Sequence, residues 1–349
     1  MSRPRQRPVA LDPVPTHERV RTHPAHRPGR SFRPSPGLDR PARTGPCAQW
    51  PEWHIVMAVV VAPRTRKDQT PEFLARAFMS GGLQFDEEAA RRVETTYLTP
   101  DVVAQRQATL RALELRPGER VLDIGSGPGL LAQEMAMTVG SGGRVCGLDI
   151  SESMLAMSRK RCANLPWVDF RAGDAITLPF SDGEFDVAVC TQVYEYVADV
   201  DTALRDAHRV LRPGGRLLVV DTDWDSMVWH STSPIRMNRV LDAWNEHLVD
   251  PYLPRTLPPR LKRVGFHIER YQVVPVLNTE FDPNTYSYGL MGLIAKFVVG
   301  RRGVTEGEAT AWLEDFRTLG ESGRYFFSLN RYLFLAVKLS TLSANHGQR

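Results

Sequence analysis

Cysteine is scarce in this sequence, and long apolar runs are missing from it. The four cysteines among 349 residues form no CxxC pair and no metal-ligand spacing, so neither a disulfide framework nor a zinc site is expected. Three of them, Cys146, Cys162 and Cys190, fall in predicted core elements, which is typical of reduced thiols in a cytoplasmic protein. The apolar run IVMAVVV at 55–61 is too short to cross a bilayer. We therefore expect a cytoplasmic protein without an integral membrane segment.

Excess positive charge is also missing from most of the chain. The formal net charge is +4, but residues 1–57 hold ten arginines against four acids, a net charge of +6. The rest of the chain therefore carries a net charge of −2. A nearly neutral body argues against a nucleic-acid surface built into the fold, so no nucleic-acid partner is expected.

Residues 1–56 contain eleven of the 26 prolines and almost no apolar periodicity. Such a segment cannot bury enough surface to fold, so we predict a disordered tail rich in arginine and proline. Three interpretations of the tail remain open. It is a flexible extension, or it binds an acidic partner, or the natural protein begins near Met57, where the sequence becomes typical of a folded chain.

The apolar pattern divides the rest of the chain into three parts. Residues 57–116 are predicted to form N-terminal helices, including PEFLARAF and a helix that Pro100 opens. Residues 117–223 alternate strands with helices, and strands apolar on both faces indicate a parallel sheet covered on both sides. Residues 224–349 contain helical insertions and a closing stretch, GRYFFSLNRYLFLAVKL, that we predict to be an antiparallel strand. The fold class is therefore α/β.

The stretch VLDIGSGPGLL at 121–131 places three glycines directly after an apolar strand. Glycine permits positive φ and close approach of a ligand to the backbone. A ligand is therefore expected at the carboxyl end of this strand, over the N-terminus of the next helix. The spacing is GxGxG, at Gly125, Gly127 and Gly129, whereas the dinucleotide fingerprint has its last glycine where this chain has Leu130. Recognition of a pyrophosphate is thus disfavoured.

Three acids lie where they could serve the same ligand. Asp149 ends the second strand, where a carboxylate can accept hydrogen bonds from both hydroxyls of a ribose or can simply favour the helix dipole. Asp174 ends the third strand, where it could bond an adenine edge or face solvent in a turn. Asp123 lies inside the first strand, where an unpaired acid is costly to bury. It either orders the glycine loop or faces a ligand ammonium group.

Five motifs occur in a recognisable order: VLDIGSGPG, GLDIS, AGDA, FDVAVCTQVYEYVAD and LRPGGRLLVVD. In this order they resemble the successive motifs of class I S-adenosylmethionine-dependent methyltransferases. The chain is most similar to the ubiquinone/menaquinone-biosynthesis type and to related small-molecule methyltransferases. The resemblance covers residues 100–223 well. It implies a Rossmann-like, mostly parallel seven-stranded sheet with helices on both faces and S-adenosylmethionine as the cofactor.

The resemblance also implies roles for the glycine loop and the acid after it. Gly125, Ser126, Gly127 and Gly129 would line the methionyl part of the cofactor. Asp149 would hold the ribose diol. These two parts of the site lie on neighbouring strands of the implied sheet.

Six further positions follow from the resemblance. Ile150 and Met154 would lie against the adenine ring, while Asp174 and Ala175 would meet its edge. Thr191 and Gln192, after the fourth strand, would lie near the sulfonium.

Two residues before the first strand, Tyr97 and Arg106, would close over the cofactor, or they belong to an ordinary helix surface.

The catalytic residue remains unassigned. A base is needed only if the methyl acceptor must lose a proton. Candidates are Tyr194, Glu195, His230 and His247, although each can equally be structural.

The segment DTDWD at 221–225 begins like a calcium loop but lacks the required glycine and glutamate further on, so no metal site is expected.

Aromatic residues are concentrated in the insertions after residue 223. Trp224, Trp229, Trp244, Tyr286 and Tyr288 could form a helical lid over an apolar substrate. They could equally form a second small core or the contact face of a homodimer.

Methyl transfer to a small, apolar or aromatic acceptor, at carbon or oxygen, is the function that the sequence favours. A nicotinamide-dependent oxidoreductase and a non-catalytic cofactor-binding protein are the alternatives.

Overall fold

The computed structural model describes residues 94–339. The predicted tail, the helix PEFLARAF and Met57 lie outside the described residues. The strands are β1 (Arg120–Ile124), β2 (Arg144–Asp149), β3 (Val168–Ala172), β4 (Phe185–Thr191), β5 (Leu211–Thr222), β6 (Val228–Trp229), β7 (Phe266–Asn278) and β8 (Phe327–Lys338). The helices are α1 (Pro100–Leu113), α2 (Leu130–Val139), α3 (Glu152–Arg161), α4 (Val200–Val210), α5 (Pro234–Trp244), α6 (Leu253–Arg263), α7 (Tyr286–Val298) and α8 (Glu306–Glu321).

The strands form one sheet in the order β3-β2-β1-β4-β5-β8, with β7 along the other side of β8. Strands β1 to β5 are parallel, and β8 is antiparallel to β5, as predicted from its place after the helical insertions. These are the seven strands that the resemblance implies, and the two-residue β6 adds a short pairing with β8. The mostly parallel α/β prediction is therefore confirmed, and the carboxyl ends of β1 to β5 meet at one edge of the sheet.

Strand β5 begins earlier than the apolar pattern predicts. The apolar run RLLVVDTD at 216–223, after the turn-forming residues RPGG, predicts a strand that starts at Arg216. In the structure Leu211 already pairs with Phe185, so RPGG lies inside the strand. The register between β4 and β5 shifts after this first pair. The extra residues form a bulge with Gly214 at φ 74°, which glycine tolerates at little cost.

Both faces of the sheet are covered, because the helices alternate between them. One hydrophobic cluster joins α4 and α6 to one face, with Leu204 and Leu257 fully buried. Another joins α1, α2 and α3 to the opposite face, with Leu113 and Met135 fully buried. The three described cysteines are free and buried, as predicted. Within residues 94–339, each helix falls short of the length and apolarity that a membrane span requires.

A third hydrophobic cluster gathers the aromatic residues of the insertions. Trp224, Trp229, Trp244 and Tyr286 are all buried in it, and Tyr288 packs against it. The Trp229 ring stacks on that of Phe316 in α8, with centroids 4.5 Å apart. Of the interpretations that the sequence left open, a second small core describes this packing, while contact with a substrate or a second copy stays a prediction.

Helix α8 begins at an N-cap threonine. The Thr305 hydroxyl accepts a hydrogen bond from the Glu308 N–H at 3.2 Å, which satisfies one of the free donors of the first turn. Thr305→Ala is expected to lower the free energy of unfolding by about 1 kcal/mol, measured by urea denaturation. Thr305→Ser keeps the hydroxyl and should remain within a few tenths of a kcal/mol of the original protein. Equal losses in both variants would contradict the role of the cap.

Candidate functional site

The glycine loop crosses the carboxyl end of β2. Directly after β1, the N–H groups of Gly125 and Ser126 both donate to the Leu148 carbonyl, at 2.7 and 2.9 Å. Gly125, Gly127 and Gly129 have φ values of 71°, 51° and 78°, the left-handed region that side chains disfavour. The predicted need for glycine is therefore seen at all three positions. Gly129 caps α2, which places the loop over the helix N-terminus.

The three glycines differ in what surrounds them. A Cβ at Gly125 would lie 2.2 Å from Val193 Cγ2, and one at Gly129 would lie 2.9 Å from the backbone of Ser158. A Cβ at Gly127 would have nothing within 4 Å. The first and third glycines thus permit close packing of the loop, while the backbone of the second is open to a ligand.

Asp149, at the end of β2, forms a hydrogen bond with the glycine loop. Its Oδ2 accepts from the Gly127 N–H at 2.8 Å, and its Oδ1 accepts from the Ser151 N–H at 2.9 Å. Burial raises the pKa of this carboxyl, and the backbone N–H groups of Ser151 and Gly127 offset part of that rise. The predicted ribose acid therefore lies beside the open glycine, in a fixed orientation.

Asp123 and Ser126 place further polar atoms beside the loop without partners in the described part of the chain. Asp123 is 1% exposed, and its Oδ2 has no hydrogen-bond partner there. Burial, together with the negative charge of Asp149, raises the pKa of Asp123 to about 7. The Ser126 hydroxyl is likewise buried and unpartnered. Two buried acceptors of this kind fit a ligand ammonium group, which favours that role of Asp123 over ordering the loop.

The residues assigned to adenine are distributed around this edge. Ile150 follows Asp149 directly and is 56% exposed, so its side chain is free to cover an apolar ring. Met154 is buried under the start of α3. The Asp174 Oδ1 accepts from the Ile176 N–H at 2.7 Å in a local turn, and Ala175 packs partly against the core. A Gly173 N–H bond to the Asp149 carbonyl ties this turn to the end of β2.

Gln192 adopts a strained backbone directly after β4. Its φ is 56°, which is uncommon for a residue other than glycine, and its N–H donates to the Val220 carbonyl at 2.7 Å. With the amide oxygen toward β8, Gln192 accepts from Arg331 Nε at 3.3 Å and from Nη2 at 3.1 Å. Thr191, the last residue of β4, is partly buried beside it. The structure therefore connects a predicted site residue to an arginine that the sequence analysis missed.

Arg331 has a signal in the sequence that could have revealed it. It interrupts the apolar strand FSLNRYLFLAVK, and it is fully buried in the structure. A buried arginine requires partners, since an unpaired cation in the interior is costly. Its guanidinium lies over the ring of Tyr286, 4.6 Å from the centroid.

Of the four candidate bases, Glu195 is the one whose pKa the charge of Arg331 lowers. Glu195 is fully buried, and its Oε2 accepts from the Thr222 N–H at 3.3 Å and from Trp224 Nε1 at 3.1 Å. Burial raises its pKa to about 7, although Trp224, Thr222 and the charge of Arg331 lower it in part. A second buried acid, Asp221 at the end of β5, has a pKa raised mainly by burial and then by Glu195.

The other three candidates have different surroundings. His247 stacks on Trp244 in the aromatic core, and burial lowers its pKa to about 3. Tyr194 is buried in the core beneath β4, where burial raises its pKa far above the usual range. His230 is exposed after β6 and lines a cavity of about 480 Å³ together with Trp229. In the described part of the chain, no hydrogen bond joins any of these three side chains to Gln192 or Arg331.

The other predicted features have structural explanations. Asp223 and Asp225 pair with Arg255 at 2.7 and 2.8 Å, so the DTDWD segment holds an ion pair. Arg106 pairs with Glu134 of α2 at 2.6 Å, which anchors α1. Within residues 94–339, acids, histidines and cysteines form no metal-binding group.

Comparisons with known proteins identify the family that the chain resembles. A family model described as a methyltransferase domain matches residues 122–219. An uncharacterized 37.1 kDa protein in transposon TN4556 of Streptomyces fradiae is 44% identical over 145 residues, which cover 40% of this chain and 42% of that protein. The demethylmenaquinone methyltransferase of Beutenbergia cavernae is 35% identical over 215 residues, which cover 60% of this chain and 76% of that protein.

Solved structures show a similar fold. Phosphoethanolamine N-methyltransferase 2 of Haemonchus contortus, in complex with S-adenosyl-L-methionine, superposes with a TM-score of 0.50 at 22% identity. The match covers 76% of this chain and 60% of that chain. At this identity the likeness concerns the fold alone.

Proposed function

Because the chain belongs to the class I S-adenosylmethionine-dependent methyltransferases of the quinone-biosynthesis type, we propose that it transfers a methyl group to a small aromatic acceptor. The observation that carries this proposal is the left-handed glycine loop, in which the open backbone of Gly127 is held by the Asp149 carboxylate at 2.8 Å. Relatives named as acting on demethylmenaquinone and on 2-phytyl-1,4-naphtoquinone support an aromatic acceptor.

The residues at the sheet edge fit S-adenosylmethionine. Asp149 would accept hydrogen bonds from the ribose hydroxyls, and Ile150 would cover the adenine ring. Asp123 Oδ2 and the Ser126 hydroxyl would meet the ammonium group of the methionyl part. When bound, the cofactor supplies a methyl group on a positively charged sulfur, which is a good leaving group. The protein's contribution is then to position the acceptor and to exclude water.

Calorimetric titration tests the proposal. S-adenosylmethionine and S-adenosylhomocysteine are expected to bind, whereas NAD and NADP are not. A screen of quinols and phenols with labelled S-adenosylmethionine would then identify the acceptor. Binding of a nicotinamide cofactor alone would overturn the proposal in favour of an oxidoreductase. Binding of the methionine-derived ligands with no methyl transfer to any phenol or quinol would overturn the aromatic acceptor.

The partners and setting of the enzyme belong to the same proposal. We infer that it acts on a free small molecule without nucleic acid, since the chain outside residues 1–57 has a net charge of −2. The free, buried Cys146, Cys162 and Cys190 support a cytoplasmic setting. A homodimer is the alternative to a monomer, and sedimentation velocity distinguishes the two.

Asp149→Asn is expected to weaken binding of S-adenosylhomocysteine about ten- to 150-fold, because hydrogen bonds to a charged group contribute about 1.5–3 kcal/mol. Calorimetry measures the change. The matched control is Asp169→Asn, since Asp169 lies on β3 toward the other end of the sheet and pairs with Arg144 and Arg171. Its affinity should stay within about threefold of the original. Unchanged affinity in a folded Asp149→Asn variant would remove the ribose role.

A further inference from the structure

Arg161, the last residue of α3, holds the glycine loop from a second side. Its Nε donates to the Pro128 carbonyl at 2.8 Å. This carbonyl lies directly before Gly129, the N-cap residue of α2, and so lies outside the hydrogen-bond ladder of that helix. Asp149 accepts from the Gly127 N–H at 2.8 Å. Two adjacent residues of the loop are therefore tied to side chains on different elements of the fold.

The face of α3 that carries Arg161 packs directly against the loop. Ser158 lies one turn earlier on this face, since residues three apart are neighbours on a helix surface. It is fully buried, and a Cβ at Gly129 would lie 2.9 Å from its backbone. The Arg161 side chain is 20% exposed. Its bond to Pro128 is therefore largely shielded from water, where a hydrogen bond from a charged donor is stronger than at an open surface.

Glu94, in the segment before α1, binds the other side of the same guanidinium. Its Oε1 pairs with Arg161 Nη2. Arg161 therefore donates to the loop with Nε and to a carboxylate with Nη2. Because the donors of a guanidinium form a rigid fork, fixing one of them sets the direction of the other. The ion pair thus orients Nε toward Pro128.

The segment that carries Glu94 is itself anchored at two further residues. The Tyr97 carbonyl accepts from Arg106 Nη1 at 3.0 Å. A Cβ at Gly289 of α7 would lie 2.7 Å from Thr96 Oγ1, so glycine at this position lets the segment lie close to the helix. Glu94 is therefore presented to the guanidinium from a backbone that the rest of the fold holds in place.

We propose that Arg161 is a positioning residue for the methionyl part of S-adenosylmethionine, and that Glu94 holds Arg161 in the required orientation. This inference rests on the proposed methyltransferase function and gives two side chains outside the sequence motifs a role in it. By fixing the Pro128 peptide, Arg161 keeps the loop in its binding shape before the ligand arrives. A loop that is ordered in advance loses less entropy on binding, so the affinity for the ligand rises.

A purely structural role is the competing explanation, because the ion pair also joins α3 to the segment before α1. Such a role would change the affinity for every adenosine-containing ligand alike, or only the free energy of unfolding. In the proposed site the glycine loop serves the methionyl part, whereas Asp149 and Ile150 serve the adenosine part. Methylthioadenosine keeps the adenosine and the sulfur of S-adenosylhomocysteine but lacks its amino and carboxyl groups. The preference between these two ligands therefore separates the explanations.

The test is calorimetric titration of the full chain with both ligands at one pH. The original protein should prefer S-adenosylhomocysteine by about ten- to 150-fold, since its amino and carboxyl groups make charged hydrogen bonds. Arg161→Met removes both donors and should lower this preference about tenfold, while the affinity for methylthioadenosine stays within about threefold of the original. Arg161→Lys keeps a charged donor but loses the fork, so it should lower the preference only about threefold.

A second variant tests Glu94, and a control tests the helix. Glu94→Gln should lower the preference about threefold, and this loss should disappear in the Arg161→Met background, because the two side chains act as one unit. Arg159→Met is the matched control, since Arg159 lies on the same helix and pairs with the exposed Glu152. It removes the same charge from α3 and should keep the full preference.

The outcomes separate this inference from the proposed function. Failure of S-adenosylhomocysteine to bind the original protein would overturn the methyltransferase proposal. Binding with equal affinity for methylthioadenosine would leave that proposal standing and overturn the positioning role, and this measurement needs no variant.

The variants give further outcomes that would overturn the positioning role. A folded Arg161→Met variant, shown by its urea transition, would do so if it keeps the preference or loses affinity for both ligands equally. An equal drop in the Arg159→Met control would do so as well. If Arg161→Met does not fold, an unchanged preference in both Arg161→Lys and Glu94→Gln would be decisive against it.

Discussion

Gly125→Ala is expected to abolish tight binding of S-adenosylhomocysteine. The new Cβ would lie 2.2 Å from Val193 Cγ2, in the loop after β4, and the residue would keep a φ of 71°. The left-handed conformation costs a side chain about 1–2 kcal/mol, and overpacking costs about 1–3 kcal/mol more. Relief requires the glycine loop to shift from β4 toward β2, which distorts the hydrogen bond between Gly127 and Asp149. We expect the affinity to fall about a hundredfold or more, as measured by calorimetry.

A glycine elsewhere supplies the control for this substitution. Gly323 also has positive φ, at 65°, but a Cβ there would meet nothing within 4 Å. Gly323→Ala should therefore cost about 1–2 kcal/mol of stability and leave the affinity for the cofactor product unchanged. Adding Val193→Ala to Gly125→Ala should restore part of the affinity, because it removes the Cγ2 atom that clashes. Full affinity in Gly125→Ala alone would contradict the packing role of this glycine.

Local patterns were sufficient to predict the sheet and the glycine loop. The strands around Asp123 and Cys190 are apolar on both faces, a pattern typical of a parallel sheet covered on two sides. Glycines at 125, 127 and 129 identify the loop, because a left-handed backbone disfavours most other residues. The acid after the second strand follows from the same geometry. All these signals lie within a few residues of the feature that they predict.

The contact between Gln192 and Arg331 could not be predicted in this way. Arg331 reaches Gln192 across 139 positions of sequence, and only the antiparallel pairing of β8 with β5 brings the two together. The start of β5 was missed because the bulge at RPGG has turn-forming residues inside a paired strand. The aromatic residues of the insertions fit a lid or a core equally well by composition, and the choice depends on three helices packing against each other.

The Asp123 carboxylate is expected to lower the stability of the fold and to strengthen ligand binding. The pKa of this carboxyl is about 7 in the folded protein and 3.8 in the reference state, so the folded protein binds its proton more tightly than the unfolded chain does. Its effect on stability is therefore most favourable below pH 3.8, declines as the pH rises toward 7, and stays unfavourable above that. Within residues 94–339, Oδ2 of this buried carboxylate has no hydrogen-bond partner, and a ligand cation is the partner that we propose.

Asp123→Asn is thus expected to raise the free energy of unfolding at about pH 8 by about 2–4 kcal/mol, because each unit of pKa corresponds to about 1.4 kcal/mol. The gain should disappear at about pH 4, where the original residue is protonated in the folded state. The same substitution should weaken S-adenosylhomocysteine binding about ten- to 150-fold if the carboxylate meets the ligand ammonium. Urea unfolding at the two pH values and calorimetry measure these effects.

Asp315 provides a control of opposite sign. Burial alone would raise the pKa of this acid, but hydrogen bonds from Ser231 and Thr232 hold it below its usual value. Its stabilising effect is present above the unfolded pKa and is lost as the pH falls, so Asp315→Asn should destabilise the protein at about pH 8. A gain in stability from Asp123→Asn beside a loss from Asp315→Asn would show that the cofactor edge is kept at a cost to the fold. A loss from both would mean that the Asp123 carboxylate already has a structural partner, and its assignment to the ligand ammonium would then be wrong.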